Sequence, residues 1–368
     1  MTVPPGSHQA APVSRGRRLT ASLKRSWPWI RYVVGLGLAV LAVWALLGRR
    51  GELSGATGYL AHAQLGWALL GGVLELASLV AFALVQQDLL AAGDVTVSGR
   101  WITGVTLAAT AIANSMPAGP IVSSVFAFRQ YRRRGADEAL SGWTLAAVFV
   151  AASVSLAIVA AAGVGIAGAE GASFGLVGVT IGVLVAAIVM GAVFINHRAL
   201  DWLVGATLRA SRRLFHWPRG DLGARADHIV ARVRAVRITA PQVLRVMMWA
   251  VLNWLLDCGC LAVCFLTVGV GIPWHGLLLA YGAGQLAANL PVTPGGLGVV
   301  EGSLTIALVA FGGAETSTVA AVLLYRIMSF WGELPVGWVI WAGFAWRARR
   351  EPAATRAPSD KDVAGVVA

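Results

Sequence analysis

"LPVTPGGLGVVEG", Leu290 to Gly302, sits in the middle of one of the most apolar parts of this chain. Its two prolines, four glycines and one carboxylate do not belong in an ordinary membrane helix. Proline lacks the N–H that continues a helix, and glycine tolerates the backbone conformations that end one. The segment therefore breaks. At membrane depth, non-helical backbone is tolerated only where protein or a water-filled cavity satisfies its polar groups, so the break belongs inside the protein.

A second apolar segment has the same defect. Trp101 to Phe128 carries no charge but is interrupted by "NSMPAGP", Asn114 to Pro120. At about 1.5 Å per residue it is too short to cross a bilayer twice, and its middle cannot stay helical. Both segments, Trp101–Phe128 and Pro273–Phe311, read as helical hairpins that enter and leave on one face.

The rest of the chain supplies the setting. Its 368 residues are 57% hydrophobic and 12% charged, with a mean hydropathy of +0.72. A soluble domain carries about 25% charge. Full spans, each needing about 20 apolar residues, are expected near Ile30–Gly48, Gly66–Val85, Gly142–Ala167, Phe174–Ile195, Val246–Val268 and Thr318–Phe344. The net charge of +12 collects between the apolar stretches, which argues against nucleic acid as the partner. The apolar run after the basic N-terminus is long and ends in Arg49-Arg50, so it reads as an uncleaved first span rather than a signal peptide.

Positive-inside counting tests this layout. With a cytoplasmic N-terminus, the inside receives the basic arm 1–29, Arg100, "RQYRRR" (Arg129 to Arg134), the loop 196–245 and the tail 346–368. Of the 29 basic residues, all but Arg49, Arg50 and Arg326 then fall inside or at its boundary. Both termini are expected in the cytoplasm, and the protein in the cell membrane.

A symmetry follows. Each half, about 30–168 and 174–345, reads span, span, hairpin, span, but the two start on opposite faces. The fold expected is an all-α polytopic membrane protein, an inverted-topology repeat with six full spans and two broken re-entrant hairpins, forming one domain over 30–345. Paired Gly/Pro-interrupted segments in two such halves point to a transport site near the midplane. The loop 196–245 carries basic amphipathic stripes, among them Ile229, Val233 and Val236 beside Arg225, Arg232 and Arg237. Such stripes suit either an anionic lipid surface or docking onto the protein itself.

Several residues could carry chemistry. Thr293 followed by Pro294 fits an N-cap and first helical position. A half-helix starting there would aim free N–H groups and a positive dipole end at an anion; a tightly packed structural kink is the alternative. Charges within spans cost about 2.5–3.5 kcal/mol even on a lenient scale, so each needs a reason. Glu75 and Asp257 fall mid-span in the second element of each half, Glu301 follows the glycine turn, Arg326 lies in the last span and Arg129 closes the first hairpin. Arg326 could simply tie to Glu301 or Asp257. Alternatively Arg326 and Arg129 engage a phosphate while a carboxylate balances a cationic group or a proton. Glu333 reads as a residue that snorkels or caps a kink at Pro335.

Other motifs carry less. "GVGIAG", Gly163 to Gly168, has dinucleotide-site spacing but ends a membrane helix, so it reads as helix packing. Cys258, Cys260 and Cys264 share one apolar stretch and read as small packing residues. The histidines His62, His197, His216, His228 and His275 are scattered, with no HExxH pair. No metal or other cofactor is expected.

"LPVTPGGLGVVEGSLTIALVAFG" (Leu290 to Gly312), followed by "AAVLLYRIMSF" (Ala320 to Phe330), resembles the signature of the flippase-like membrane family. That family includes the transmembrane half of bacterial lysylphosphatidylglycerol synthase. "SMPAGP" (Ser115 to Pro120) is similar to its weaker first-half motif. The resemblance covers most of Trp101–Phe344 and implies movement of a polar-headed lipid between leaflets. It also implies that Pro291, Pro294, Gly295, Gly296, Gly298, Glu301 and Arg326 occupy the family's central positions. "GELP", Gly332 to Pro335, departs from the apolar stretch expected there. The bifunctional members append a soluble aminoacyl-transferring domain, and a synthase activity of that kind is not expected here.

The expectation is a lipid translocator without an enzymatic step, acting on a phospholipid or polyprenyl-linked lipid. Its head-group site is expected from Asn114, Pro117, Gly119, Arg129, Asn289, Pro291, Thr293, Pro294, Gly295, Gly296, Gly298, Glu301 and Arg326, with Glu75 and Asp257 balancing or coupling charge. The alternatives are an intramembrane lipid-modifying transferase, for which neither a DxD pair nor a histidine–carboxylate motif is evident, and a non-transporting scaffold of cell-envelope assembly. Membrane lipids are the partners expected. A homo-oligomer or an envelope-biogenesis partner stays open.

Overall fold

A computed structural model of the chain describes residues 63–116, 119–168, 231–232, 236, 238–288 and 294–350. The spans expected at Ile30–Gly48 and Phe174–Ile195, both terminal arms and most of the loop 196–245 lie outside the described residues. Among the described residues all extended regular structure is helical. In chain order it comprises α1 (Leu65–Ala91), α2 (Gly99–Ser115), α3 (Gly119–Arg133), α4 (Glu138–Gly168), α5 (Ala240–Thr267) and α6 (Trp274–Ala288). After the second break come α7 (Val299–Ala310), α8 (Glu315–Arg326) and α9 (Glu333–Arg350).

Four helical runs are long and apolar enough to cross a membrane: α1, α4, α5 and the 36-residue stretch Glu315–Arg350. They coincide with four of the six spans expected. The last is not uniform. A π-turn over Ile327–Trp331 separates α8 from α9, and that extra residue per turn changes the face that everything after it presents. Pro335 then falls in the first turn of α9, where its missing N–H leaves no helical bond unmade.

The broken segments form helix pairs. α2 packs on α3 and α6 on α7, and their lengths of 17, 15, 15 and 12 residues all fall below the roughly 20 a span requires. The first turn is very tight: a Cβ at Gly119 would overlap the carbonyl oxygen of Ala113 and lie 2.6 Å from its carbon. Only glycine lets α3 start there.

α1 and α5 are antiparallel neighbours along their whole length. Gln64 N–H donates to Thr267 O (3.0 Å) at one end, Ser78 Oγ–H to Asn253 O (3.0 Å) in the middle, and Arg245 Nε–H to Asp88 Oδ2 (2.7 Å) at the other. The outward face of α1 shows Leu65, Leu69, Val73, Leu76 and Val80, all exposed and three or four residues apart, which is the stripe a helix turns toward acyl chains. The first limb of each hairpin also packs on a helix distant in sequence: α2 on α9, and α6 on α4. Glycine brings both pairs close. A Cβ at Gly337 of α9 would overlap Leu107 O of α2, and one at Gly163 of α4 would lie 2.6 Å from Leu279 N of α6. The "GVGIAG" stretch is thus a packing surface.

At the N-terminal end of α4, Asp137 caps the helix. Leu140 N–H donates to its Oδ1 at 2.7 Å and Arg232 Nε–H to its Oδ2 at 2.8 Å. Partial burial alone would raise this carboxyl; the Leu140 N–H, Arg232 and then Arg132 outweigh it and hold Asp137 below the usual carboxylate range. Val236 packs against the apolar cluster that includes Tyr131 and Leu140. Of the two readings open for the basic stripe, docking onto the protein is what Arg232 and Val236 do.

Candidate functional site

The opening motif folds from its glycines outward. Pro294–Gly296 makes one 3₁₀ turn, and φ is positive at Gly295 (61°), Gly296 (68°) and Gly298 (81°). At Gly295 conformation and space both demand glycine: a Cβ there would overlap Phe330 Cε2, lie 2.8 Å from its Cζ and 3.2 Å from Asn114 O. That last contact brings the two breaks together, because Asn114 ends α2 in the first hairpin. Next to it Trp338 Nε1–H donates to Ser115 Oγ at 3.0 Å, fixing the end of α2 to α9.

The second half-helix starts later than its sequence suggests. Three left-handed residues cannot belong to an α-helix, so α7 begins at Val299 rather than at Pro294. Its N-terminus already holds an anion: Gly298 N–H donates to Glu301 Oε2 at 2.6 Å, satisfying one of the helix's free donors. Glu301 Oε1 accepts from Arg326 Nε–H at 2.7 Å, and Arg326 Nη2–H donates to Gly295 O at 3.0 Å. The guanidinium also stacks 4.5 Å from the Phe330 ring centroid. Arg326 is nine-tenths buried, so removing either charge alone would strand the other, at about 3–5 kcal/mol. The tie to Glu301, one of the pairings open in the sequence, is the one formed.

A second polar group lies within the Coulombic range of Arg326. Asp257 of α5 accepts from Tyr281 Oη–H (2.6 Å) and Gln285 Nε2–H (3.2 Å), and Gln285 Nε2–H also reaches Tyr325 Oη at 3.2 Å. Glu75 of α1 neighbours both Asp257 and Glu333. All three carboxyls are buried.

The structure thus joins Asn114, Gly295, Gly296, Gly298, Glu301 and Arg326 around the meeting of the breaks, keeps Gly119 against Ala113 in the first turn, and brings Glu75 to Asp257. Pro294 opens the 3₁₀ turn. Arg129 does not join them; it is exposed in the penultimate turn of α3. Pro117, Asn289, Pro291 and Thr293 lie outside the described residues. Sequence reasoning missed Glu333, Tyr281, Gln285 and Tyr325. Glu333 does not snorkel: it starts α9 just after the π-turn and is 7% exposed. The available signal for Tyr281 and Gln285 was their spacing of four, which places two polar groups on one face of an apolar helix.

The comparisons with known proteins agree with this architecture. Over 84 residues the chain is 38% identical to a UPF0104 membrane protein of Methanothermobacter thermautotrophicus, a match covering 23% of this chain and 24% of that protein. The chain thus spans about a quarter of the length of that curated relative. Residues 32–337 match the family described as the lysylphosphatidylglycerol synthase TM region. With its apolar spans and a match over most of its length, the chain is a multi-pass membrane protein and belongs to the lysylphosphatidylglycerol synthase TM-region family.

Proposed function

We propose that this protein is a translocator, without an enzymatic step, that moves a phospholipid or polyprenyl-linked lipid between the leaflets of the cytoplasmic membrane. Its two halves form an inverted repeat, and both termini face the cytoplasm. The observation that carries the reading is the meeting of the two broken hairpins at Asn114 and Gly295, beside the buried Arg326. The reciprocal packing of α2 on α9 and α6 on α4 supports the repeat, since each hairpin limb rests on the last span of the opposite half.

The site offers a phosphate what helix N-termini and arginines offer anions generally: N–H donors, a dipole end and a forked cation. In the state seen, Glu301 fills that role. A lipid phosphate would compete with Glu301 for Arg326 and for Gly298 N–H, whose residue is exposed. The acyl tails stay in the bilayer, and rocking of the halves exposes the site to each leaflet in turn. The same chemistry serves many head groups, so a panel is needed to name the substrate.

The test is lipid movement in vesicles reconstituted with the purified full chain. Head-group-labelled lipids are offered, and an impermeant quencher reads how fast inner-leaflet label becomes accessible. Movement above protein-free vesicles for at least one head group, abolished by Arg326→Ala, is expected. Label that stays protected across phospho- and polyprenyl-phosphate lipids would overturn the proposal.

A further inference from the structure

We infer that Glu75, Asp257 and Glu333 form a proton-binding centre in the membrane interior, mounted on three helices that must shift if the halves rock. The coupling of this centre to lipid movement rests on the translocator reading; the centre itself does not.

The geometry is one of missing donors. Glu75 faces two other carboxyls, and no N–H or O–H of the described residues reaches its Oε2 or Oδ1 of Asp257. Glu75 is 7% exposed, Asp257 9% and Glu333 7%. Carboxylate oxygens only accept, so two that meet in a buried site repel unless something between them donates. Asp257 is well supplied on its other oxygen by Tyr281 and Gln285; Glu75 has no such supply. A proton carried by Glu75 gives the pair the donor that the polypeptide withholds.

A cation other than a proton fits less well. Arg326 is committed to Glu301 and Gly295 O, and among the described residues no group of three His, Cys, Asp or Glu is placed to hold a metal ion. The remaining titratable groups facing the centre add no positive charge. They are Tyr281 of α6, Tyr325 of α8, and Cys258 and Cys260 of α5, with Cys264 against Cys260.

The link to the anion site is mechanical. Arg326 and Glu333 flank the π-turn Ile327–Trp331 on one helix, so any change in that turn rotates the proton centre against the Arg326–Glu301 tie. π-turns of this kind recur at functional sites. Protonation of Glu75 and release of Arg326 are therefore two readouts of one helix position.

The experiment separates the proton centre from transport. Infrared spectra of the purified full chain in lipid, at neutral pH, should show a protonated-carboxyl band that shifts in deuterated water and is lost in Glu75→Gln. Glu333→Gln, which perturbs the neighbour but keeps Glu75, should shift that band without removing it, and it decides the matter if Glu75→Gln fails to fold. A band absent from the wild type, or unchanged in both variants, overturns the inference. In vesicles, an imposed pH gradient should change the wild-type lipid-movement rate severalfold and leave Glu75→Gln unaffected. A carboxyl band with no lipid movement for any head group sinks the translocator reading and leaves the proton centre standing. Lipid movement with no band does the reverse.

Discussion

Gly295→Ala tests the junction of the two hairpins most directly, because two separable costs meet at one atom. The added Cβ must adopt a left-handed backbone, φ 61°, which costs an L-residue about 1–2 kcal/mol. It must also enter space held by Phe330, overlapping Cε2 and standing 2.8 Å from Cζ. Overpacking of this kind costs about 1–3 kcal/mol, for a total of about 2–5 kcal/mol. The ring is 2% exposed and stacked on Arg326, so it has little room to yield. Phe330→Leu removes both clashing ring atoms while keeping an apolar side chain, and leaves only the backbone cost. In a double-mutant cycle, the penalty of Gly295→Ala should fall by about 1–3 kcal/mol in the leucine background. Thermal unfolding in lipid nanodiscs reads this, at no more than about 2–4 °C per kcal/mol for a chain of this length. Equal drops in both backgrounds, or none in either, would show that the ring does not close over the turn and that the breaks are not locked together as described.

Two further predictions follow from charged residues. Glu301→Gln should destabilise by about 3–5 kcal/mol by stranding Arg326, and Glu301→Leu with Arg326→Met should recover most of that loss. If the recovered double variant still moves lipid, the pair is only a structural tie; loss of transport with stability restored assigns it to the site. Asp137→Asn keeps the cap on α4 but removes the charge facing Arg232, a pair more than one-third exposed on both sides, so its cost should stay under about 1 kcal/mol and shrink in high salt. Because the folded carboxyl titrates below its ordinary 3.8, the stabilisation is present above that pH and is lost as pH falls through the depressed value. Melting curves from pH 7 to about 3 would contradict this if the two proteins diverged on acidification.

The four spans among the described residues were legible because their signals are lengths and compositions. An apolar run of more than about 20 residues needs no tertiary context to read as a span, and α1, α4 and α5 appear where their hydropathy put them. The hairpins were equally plain, since proline and glycine act locally. The start of α7 was not. Thr293-Pro294 has the composition of a helix start, but whether the glycines after it turn left-handed depends on Phe330 closing over Gly295, and Phe330 lies 35 residues further on. Propensity places a break; packing decides its shape.

Glu333 shows the same limit, because a charge in an apolar run reads locally as a surface residue and only packing reveals its burial. Extending α8 as a regular helix would advance Glu333 by seven residues from Arg326, about 700° at 100° per residue, and leave the two on nearly the same side. Arg326 is itself buried, so that side is an inner one, and the residue that looked like a snorkelling surface acid lies buried beside Glu75 and Asp257. The departure at "GELP" from the apolar stretch expected by resemblance is thus the trace of a local geometry. The glutamate at the start of α9 lies inside the protein beside Glu75 of α1. Pro335 is tolerable two residues later because the helix restarts at Glu333 and leaves that position without an N–H to lose. Of the two residues that argued against a membrane helix in the last span, Pro335 is explained by the helix restart after the π-turn and Glu333 by its burial inside the protein.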